Sequence, residues 1–259
     1  MKVILKKVLL LQILFAIVFN AQTQIWNKLG DQKWPTNPYN LTNYGPGNAG
    51  NIGVGNFQSL WVDPADSNHV LVGVFGGGIY ETNNAITGSL TNPISVTWNK
   101  ISNSIPNQNV EKVVKKNGVI YATNSFVYWF GIRRFSNVHS QYQNLHGLGV
   151  IKSIDNGLSW SIPVMPDSER GFQCKDFTEP DSNGVMYAVS GKRVYKSTNS
   201  GNSWFEVGPQ FFSTKSDLLS EVIVNPQNTQ EVWISAEGRS SNLKHLFKSS
   251  DGGNTWQEM

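Results

Sequence analysis

One nine-residue pattern occurs three times in this chain and dictates a repeat architecture. The copies are Lys152-Ser153-Ile154-Asp155-Asn156-Gly157-Leu158-Ser159-Trp160, Lys196-Ser197-Thr198-Asn199-Ser200-Gly201-Asn202-Ser203-Trp204 and Lys248-Ser249-Ser250-Asp251-Gly252-Gly253-Asn254-Thr255-Trp256. They share Lys-Ser-x-Asp/Asn-x-Gly-x-Ser/Thr-Trp, too many fixed positions for chance, so the fold is assembled from repeated units. Asp or Asn can bond its side chain to backbone N–H groups further round a turn, and Gly supplies a positive φ without steric cost. Apolar pairs precede each Lys (Val150-Ile151, Val194-Tyr195, Leu246-Phe247), which predicts a strand entering a hairpin turn and another leaving at the Trp. The Trp ring can then pack between units. An eroded fourth copy, Ile79-Tyr80-Glu81-Thr82-Asn83-Asn84, resumes only at Thr97-Trp98.

A second periodic signal lies upstream of the boxes. Val62-Asp63-Pro64, Thr178-Glu179-Pro180 and Val224-Asn225-Pro226 each end one apolar run, and a second run follows at 70–74, 185–189 and 232–236. Lys115-Lys116-Asn117-Gly118 and Val119-Ile120-Tyr121-Ala122 fill the same slots without the Pro. Each unit therefore reads as strand, turn, strand, loop, strand, box turn, strand, and no segment shows sustained helical periodicity. The expected fold is all-β, a β-propeller of four-stranded antiparallel blades at roughly 57–100, 107–164, 170–208 and 218–259. Met259 follows Trp256 by three residues, inside what should be a last strand, so an incomplete ring is expected, with a closed four-bladed ring as the alternative. Residues 22–56 read as a lead-in, in which Ile25-Trp26-Asn27-Lys28-Leu29 is a candidate ring-closing strand.

The boxes resemble the Asp-box, or BNR repeat, of sialidase-like, sortilin-like and xyloglucanase-like propellers of the exported bacterial type. The resemblance covers most of residues 57–259. It implies the fold and no single activity, because one fold carries many functions. It also implies that the functional face lies opposite the box turns, on loops between the second and third strand of each blade. Asp155 and Asp251 are then turn-holding residues, and Asn199 in the same place fits that role and not a catalytic one.

Met1–Ala21 reads as a secretory signal peptide: Lys2, Lys6 and Lys7 precede a twelve-residue run, Val8–Phe19, that holds one Gln and is too short to span a bilayer. Removing those three lysines from 21 basic residues leaves 18 against 18 acidic ones, so the mature chain is formally neutral and has no electrostatic footprint for nucleic acid. The single cysteine, Cys174, rules out an internal disulfide framework and cysteine-rich metal sites. His69, His139, His146 and His245 match no metal-ligand spacing, and Gly45–Gly53 lacks the Gly-Lys-Ser/Thr ending of a phosphate loop. Asn40-Leu41-Thr42 is a glycosylation sequon that matters only in a eukaryotic source. No cofactor is expected, and nothing specifies an oligomeric state.

Most loops on the expected functional face are short, as at Phe75–Gly78 and Ser190–Lys192. The exception is Ser125–Gly147, which inserts Phe126, Tyr128, Trp129, Phe130, Arg133, Arg134, Phe135, His139, Tyr142 and His146. Aromatic faces beside guanidinium and imidazole groups suit stacking on sugar rings or gripping a peptide. Packing of these rings on a neighbouring blade is the alternative. Trp129, Arg133, Arg134, His139, Tyr142 and His146 are the candidate binding residues.

Sialidases of the resembling group need an arginine cluster and a Phe/Tyr-Arg-Ile-Pro motif, which is missing; the arginines are Arg133, Arg134, Arg170, Arg193 and Arg239. Xyloglucanases of the group carry a catalytic Asp in an Ala-Arg-Thr-Asp-Ile-Gly-Gly-Ala-Tyr segment. Here Gly73-Val74-Phe75-Gly76-Gly77-Gly78-Ile79-Tyr80 keeps the Gly-Gly-x-Tyr frame but places Phe75 where the carboxylate belongs. Inverting hydrolysis needs two carboxylates, and phenylalanine accepts no proton. Glu237 with Arg239, and Asp176 with Glu179, read as solvated charges. The expectation is a secreted or cell-surface, non-catalytic binding or scaffold module for a glycan or a protein, with no transmembrane segment in the mature chain. The alternative is a glycoside hydrolase of the xyloglucanase-like type with catalytic residues partly outside these blades.

Overall fold

The computed structural model of the chain describes residues 57–74, 76–86, 96–105, 108–124, 147–163, 174–212, 218–237 and 246–259. The signal-like segment, the lead-in, Phe75 and the core of the long insertion lie outside them. Four antiparallel sheets follow one another along the chain. Blade 1 holds β1 (Phe57–Val62), β2 (Val70–Val74), β3 (Gly78–Thr82) and β4 (Asn99–Lys100); blade 2 holds β5 (Val113–Lys116), β6 (Val119–Asn124) and β7 (Gly149–Ser153). Blade 3 holds β8 (Cys174–Phe177), β9 (Met186–Ser190), β10 (Arg193–Ser197) and β11 (Phe205–Val207). Blade 4 holds β12 (Leu218–Asn225), β13 (Asn228–Glu237), β14 (Leu246–Ser249) and β15 (Gln257–Glu258). Blade 2 departs from the four-strand expectation among the described residues, where its fourth strand is a single bridge, Lys152 to Ser161. In blades 3 and 4 the last strand starts one residue after the box Trp.

The apolar runs of blades 2 and 3 are continuous because each of these sheets is covered on both faces by neighbouring blades. Successive side chains alternate between the two neighbours. Met186 and Ala188 join Val114, Tyr121 and Phe177 between blades 2 and 3, whereas Tyr187 and Val189 join Val222, Val232 and Ile234 between blades 3 and 4. Leu71 and Ile79 meet Val113, Ile120 and Ile151 between blades 1 and 2. Fully burying such a side chain contributes about 1.5–3 kcal/mol, so three interfaces of this kind carry the fold.

The box turns form as expected. Asp155 accepts the Ser159 N–H at 2.9 Å and the Ser159 hydroxyl at 2.6 Å, while Ser153 donates to it at 2.7 Å and accepts the Gly157 N–H at 2.8 Å. Asn199 and Asp251 repeat the arrangement with Ser203 and Thr255. The eroded copy retains it too: Asn84 accepts the Thr82 hydroxyl at 2.9 Å and the Thr97 N–H at 3.0 Å across its long loop. Gly201 and Gly253, at φ of 76° and 94°, rest on the previous blade, where a Cβ would stand 3.7 Å from Tyr121 and 3.4 Å from Tyr187. The box lysines of blades 2 and 3 each fasten the box turn of the following blade from behind. Lys152 Nζ donates to the Ser200 carbonyl at 3.1 Å, and Lys196 Nζ to the Gly252 carbonyl at 3.0 Å. Trp204 is buried between blades 2 and 3. Trp160 donates its indole N–H to Ile101 O in the linker before blade 2 at 3.2 Å.

Candidate functional site

The end of the blades opposite the boxes is organised by a displaced position in each first strand. The pairing register slips just before Ser59, Asp176 and Glu221, with Gln58, Lys175 and Ser220 as the extra residues. In blade 2 the Thr123 hydroxyl accepts the N–H groups of both Glu111 and Lys112, at 2.8 and 2.9 Å, which puts Lys112 at the corresponding place. A bulge re-aims side chains at a strand end, and here it aims them at the next blade. Ser59 Oγ accepts the Val113 N–H at 2.9 Å. Lys112 Nζ donates to Asp176 Oδ1 and to Phe177 O, both at 2.7 Å. Asp176 Oδ2 accepts the Val222 N–H at 2.9 Å.

One residue earlier stands a second charged line. Lys175 Nζ lies 3.9 Å from Glu111 and 3.7 Å from Glu237, so one ammonium faces carboxylates of both flanking blades. Burial holds the Glu111 carboxyl above its ordinary value; Lys175 opposes the rise and Glu237 adds to it. Cys174, fully buried beside this line, has its thiol pushed far up by burial, then by Asp176 and Glu111, so it carries no nucleophilic thiolate.

The structure corrects the reading of Asp176 as a solvated charge: it is 8% exposed and joins blades 2, 3 and 4. It also separates the pair proposed for that strand, because Glu179 contacts Lys116 at 3.2 Å instead. Glu237 joins Lys175 and Glu111, while Arg239 lies outside the described residues. Glu111, Lys112 and Lys175 were missed, because their partners lie more than sixty residues away along the chain. His69 sits at the box end between Asp63 (3.2 Å) and Glu81 (2.8 Å).

Trp129, Arg133, Arg134, His139, Tyr142 and His146 lie outside the described residues. The described feet of their insertion are fixed: buried Asn124, at the end of β6, accepts the Leu148 N–H at 3.2 Å just before β7. The insertion therefore leaves and re-enters the blade at the same end as the charged lines. The β2–β3 and β9–β10 turns at this end are short. Gly78 is tied to Gln108 O at 2.9 Å, and a Cβ there would lie 2.1 Å from Ser102 Oγ, so the Gly-Gly-x-Tyr frame has a packing reason of its own. Among the described residues no group of three His, Cys, Asp or Glu side chains is placed to hold a metal ion. Among them, too, no helix is long and apolar enough to cross a membrane.

No family profile matches the chain, and no curated protein matches it significantly. Solved structures do. An ancestral GH74 enzyme is similar over 79% of this chain and 24% of its own, at 19% identity and a TM-score of 0.54. The GH74 xyloglucanase of Xanthomonas campestris is similar over 77% of this chain and 29% of its own, at 20% identity and a TM-score of 0.53. An extracellular domain assigned to a one-component system of B. thetaiotaomicron is similar over 78% of this chain and 22% of its own, at 8% identity and a TM-score of 0.52. The chain thus spans less than a third of the length of each. At these identities the likeness establishes fold alone: the chain is an all-β propeller of four described blades, in which the first strands of blades 1 and 4 carry Leu60 and Ile223 at 68% and 63% exposure.

Proposed function

We propose that this propeller is a secreted or surface-exposed binding module, and that the β6–β7 insertion is its contact surface for a glycan or a peptide. The observation that supports it best is the disposition of charge at that end of the blades. Lys112 and Asp176 are spent on joining blades, and Lys175 stands between Glu111 and Glu237. The segment aligned with the xyloglucanase base is a short glycine turn carrying Phe75. What remains distinctive is an aromatic and basic insertion with anchored feet. Trp129 and Arg133 supply the stacking faces. The signal-like Met1–Ala21 supports export, as does the extracellular setting of one similar structure.

The test is Trp129→Ala combined with Arg133→Ala, read on a glycan array and by peptide-display selection. Binding to the ligand so found falls at least about tenfold while the melting temperature stays put. Loss of folding instead makes the insertion part of the core and overturns the reading. A second reading rests on one observation: a carboxyl raised by burial beside a more exposed one, Glu111 beside Glu237, is the pattern of a general acid and base. Reducing-sugar release from β-glucans that Glu111→Gln abolishes would establish the hydrolase in place of the binding module.

A further inference from the structure

Three contacts recur between blades, the third only where blade 2 meets blade 3 and blade 3 meets blade 4, since blade 1 sets Leu71 against Glu81 there; the free side of blade 4 presents all three again. The first is the residue that follows the register slip of the first strand: Ser59 and Asp176 each accept a backbone N–H of the next blade, and Lys112, at the corresponding place in blade 2, donates to the blade after it. Glu221 occupies this position in blade 4 and is exposed. The second is the residue two places on, which faces the next blade: Val114 and Trp61 pack into the following interfaces, whereas Ile223 is 63% exposed. The third is a pair of facing residues, one on the second strand and the box Lys on the third. Register sets Tyr121 against Lys152, Tyr187 against Lys196 and Trp233 against Lys248.

In the two inner cases the ring is covered by the glycine of the next box, and the lysine reaches that box's backbone carbonyl. Gly201 lies on Tyr121, with Lys152 on Ser200 O; Gly253 lies on Tyr187, with Lys196 on Gly252 O. In blade 4 the ring is half-buried, and Lys248 lies 4.9 Å above it and turns back to Glu231 at 3.1 Å.

We infer that this face is an interaction surface for a fifth blade carrying a glycine box of its own. Its box glycine seats on Trp233, the carbonyl preceding that glycine accepts from Lys248, and its first strand offers an N–H to Glu221 and an apolar side chain to Ile223. Blade 1 does not fit, whether from this chain or from a second copy. Its eroded box carries Ile86 where the others carry Gly157, Gly201 and Gly253, so a branched side chain would meet the Trp233 ring. The chain's own three glycine boxes are already used, on Ile101, Tyr121 and Tyr187. The occupant is therefore a further blade, and the interface it makes continues the three already present.

The test uses the protein as its host secretes it, labelled with an amine-acetylating reagent and read by mass spectrometry. Lys248 labels as slowly as Lys152 and Lys196, and at least about tenfold slower than Lys116, which is 45% exposed. Ile223→Asp lowers the melting temperature, and Ile223→Thr, the residue blade 3 uses at this place as Thr178, largely restores it. Lys248 labelling at the Lys116 rate, or an Ile223→Asp variant as stable as the parent, overturns the inference. So does sedimentation of a dimer whose dissociation exposes Lys248, because a second copy then covers the face.

Discussion

Removing the Asp176 carboxylate tests whether the belt of first-strand contacts made by Ser59, Lys112 and Asp176 couples blades or merely decorates them. In Asp176→Ala the Val222 N–H, on a residue 2% exposed, loses its acceptor at 2.9 Å. An orphaned buried donor costs about 1–3 kcal/mol. Lys112 loses its ion pair as well, but its side chain is 32% exposed and keeps Phe177 O, so that loss adds only about 0–1 kcal/mol. The two together centre near about 2.5 kcal/mol, or a melting-temperature fall of about 5–10 °C for a chain this long. Asp176→Asn keeps an oxygen for Val222 and gives up only the charge, so its cost stays near about 1 kcal/mol. Urea titration of both variants separates the contributions through the midpoint at constant slope. A lowered slope in Asp176→Ala marks blades 3 and 4 parting as separate units, as stacked repeats do when an interface weakens. If Ala and Asn variants melt together, within about 0.5 kcal/mol of the parent, the belt holds nothing and the reasoning fails.

The box carboxyls give an acid signature. Ser159 and Thr255, through hydroxyl and then backbone N–H, hold Asp155 and Asp251 down to about 2 from the ordinary 3.8. Their contribution is present above pH 3.8 and lost as pH falls through about 2. Asp155→Asn with Asp251→Asn, copying Asn199, folds normally at pH 7 and flattens the melting-temperature decline between those two pH values; an unchanged decline refutes the assignment. Gly253→Ala places a Cβ 3.1 Å from Val207 at a φ of 94°. It destabilises by about 1–2 kcal/mol, measured by chemical denaturation, and a neutral variant shows that the box can rise off Tyr187 freely.

The blades were legible in the sequence because turn chemistry is local. Asp155, Ser153, Gly157 and Ser159 lie within seven residues and need only one another. The continuous run Val70–Val74 was legible as strand for a related reason, since two-sided burial leaves no polar alternation to confuse it. The fourth strand expected for blade 2 is, among the described residues, the single bridge of Ser161 to Lys152. The charged lines were not legible. Glu111 and Lys175 meet across 64 positions, and each alone resembles any surface charge. The insertion was visible by length and aromatic content, but neither property says which ring faces a ligand.

The belt shows why such links escape a repeat search. A box position contacts side chains and backbone of its own turn, so its residue type is tightly constrained. A belt position needs only to satisfy a group of the next blade, and three chemistries do so here: a hydroxyl at Ser59, an ammonium at Lys112, a carboxylate at Asp176. Two of them accept a backbone N–H, which every residue but proline offers, so the neighbour's sequence is free as well. The geometry repeats while the letters do not. Lys152 and Lys196 follow the same logic from the other side, since their acceptors are backbone carbonyls, supplied by Ser200 in one box and Gly252 in the next. Coupling between blades is thus carried by backbone groups met by unlike side chains. The period of the boxes marks where blades begin and end, and the register of the strands, read blade against blade, marks what holds them together.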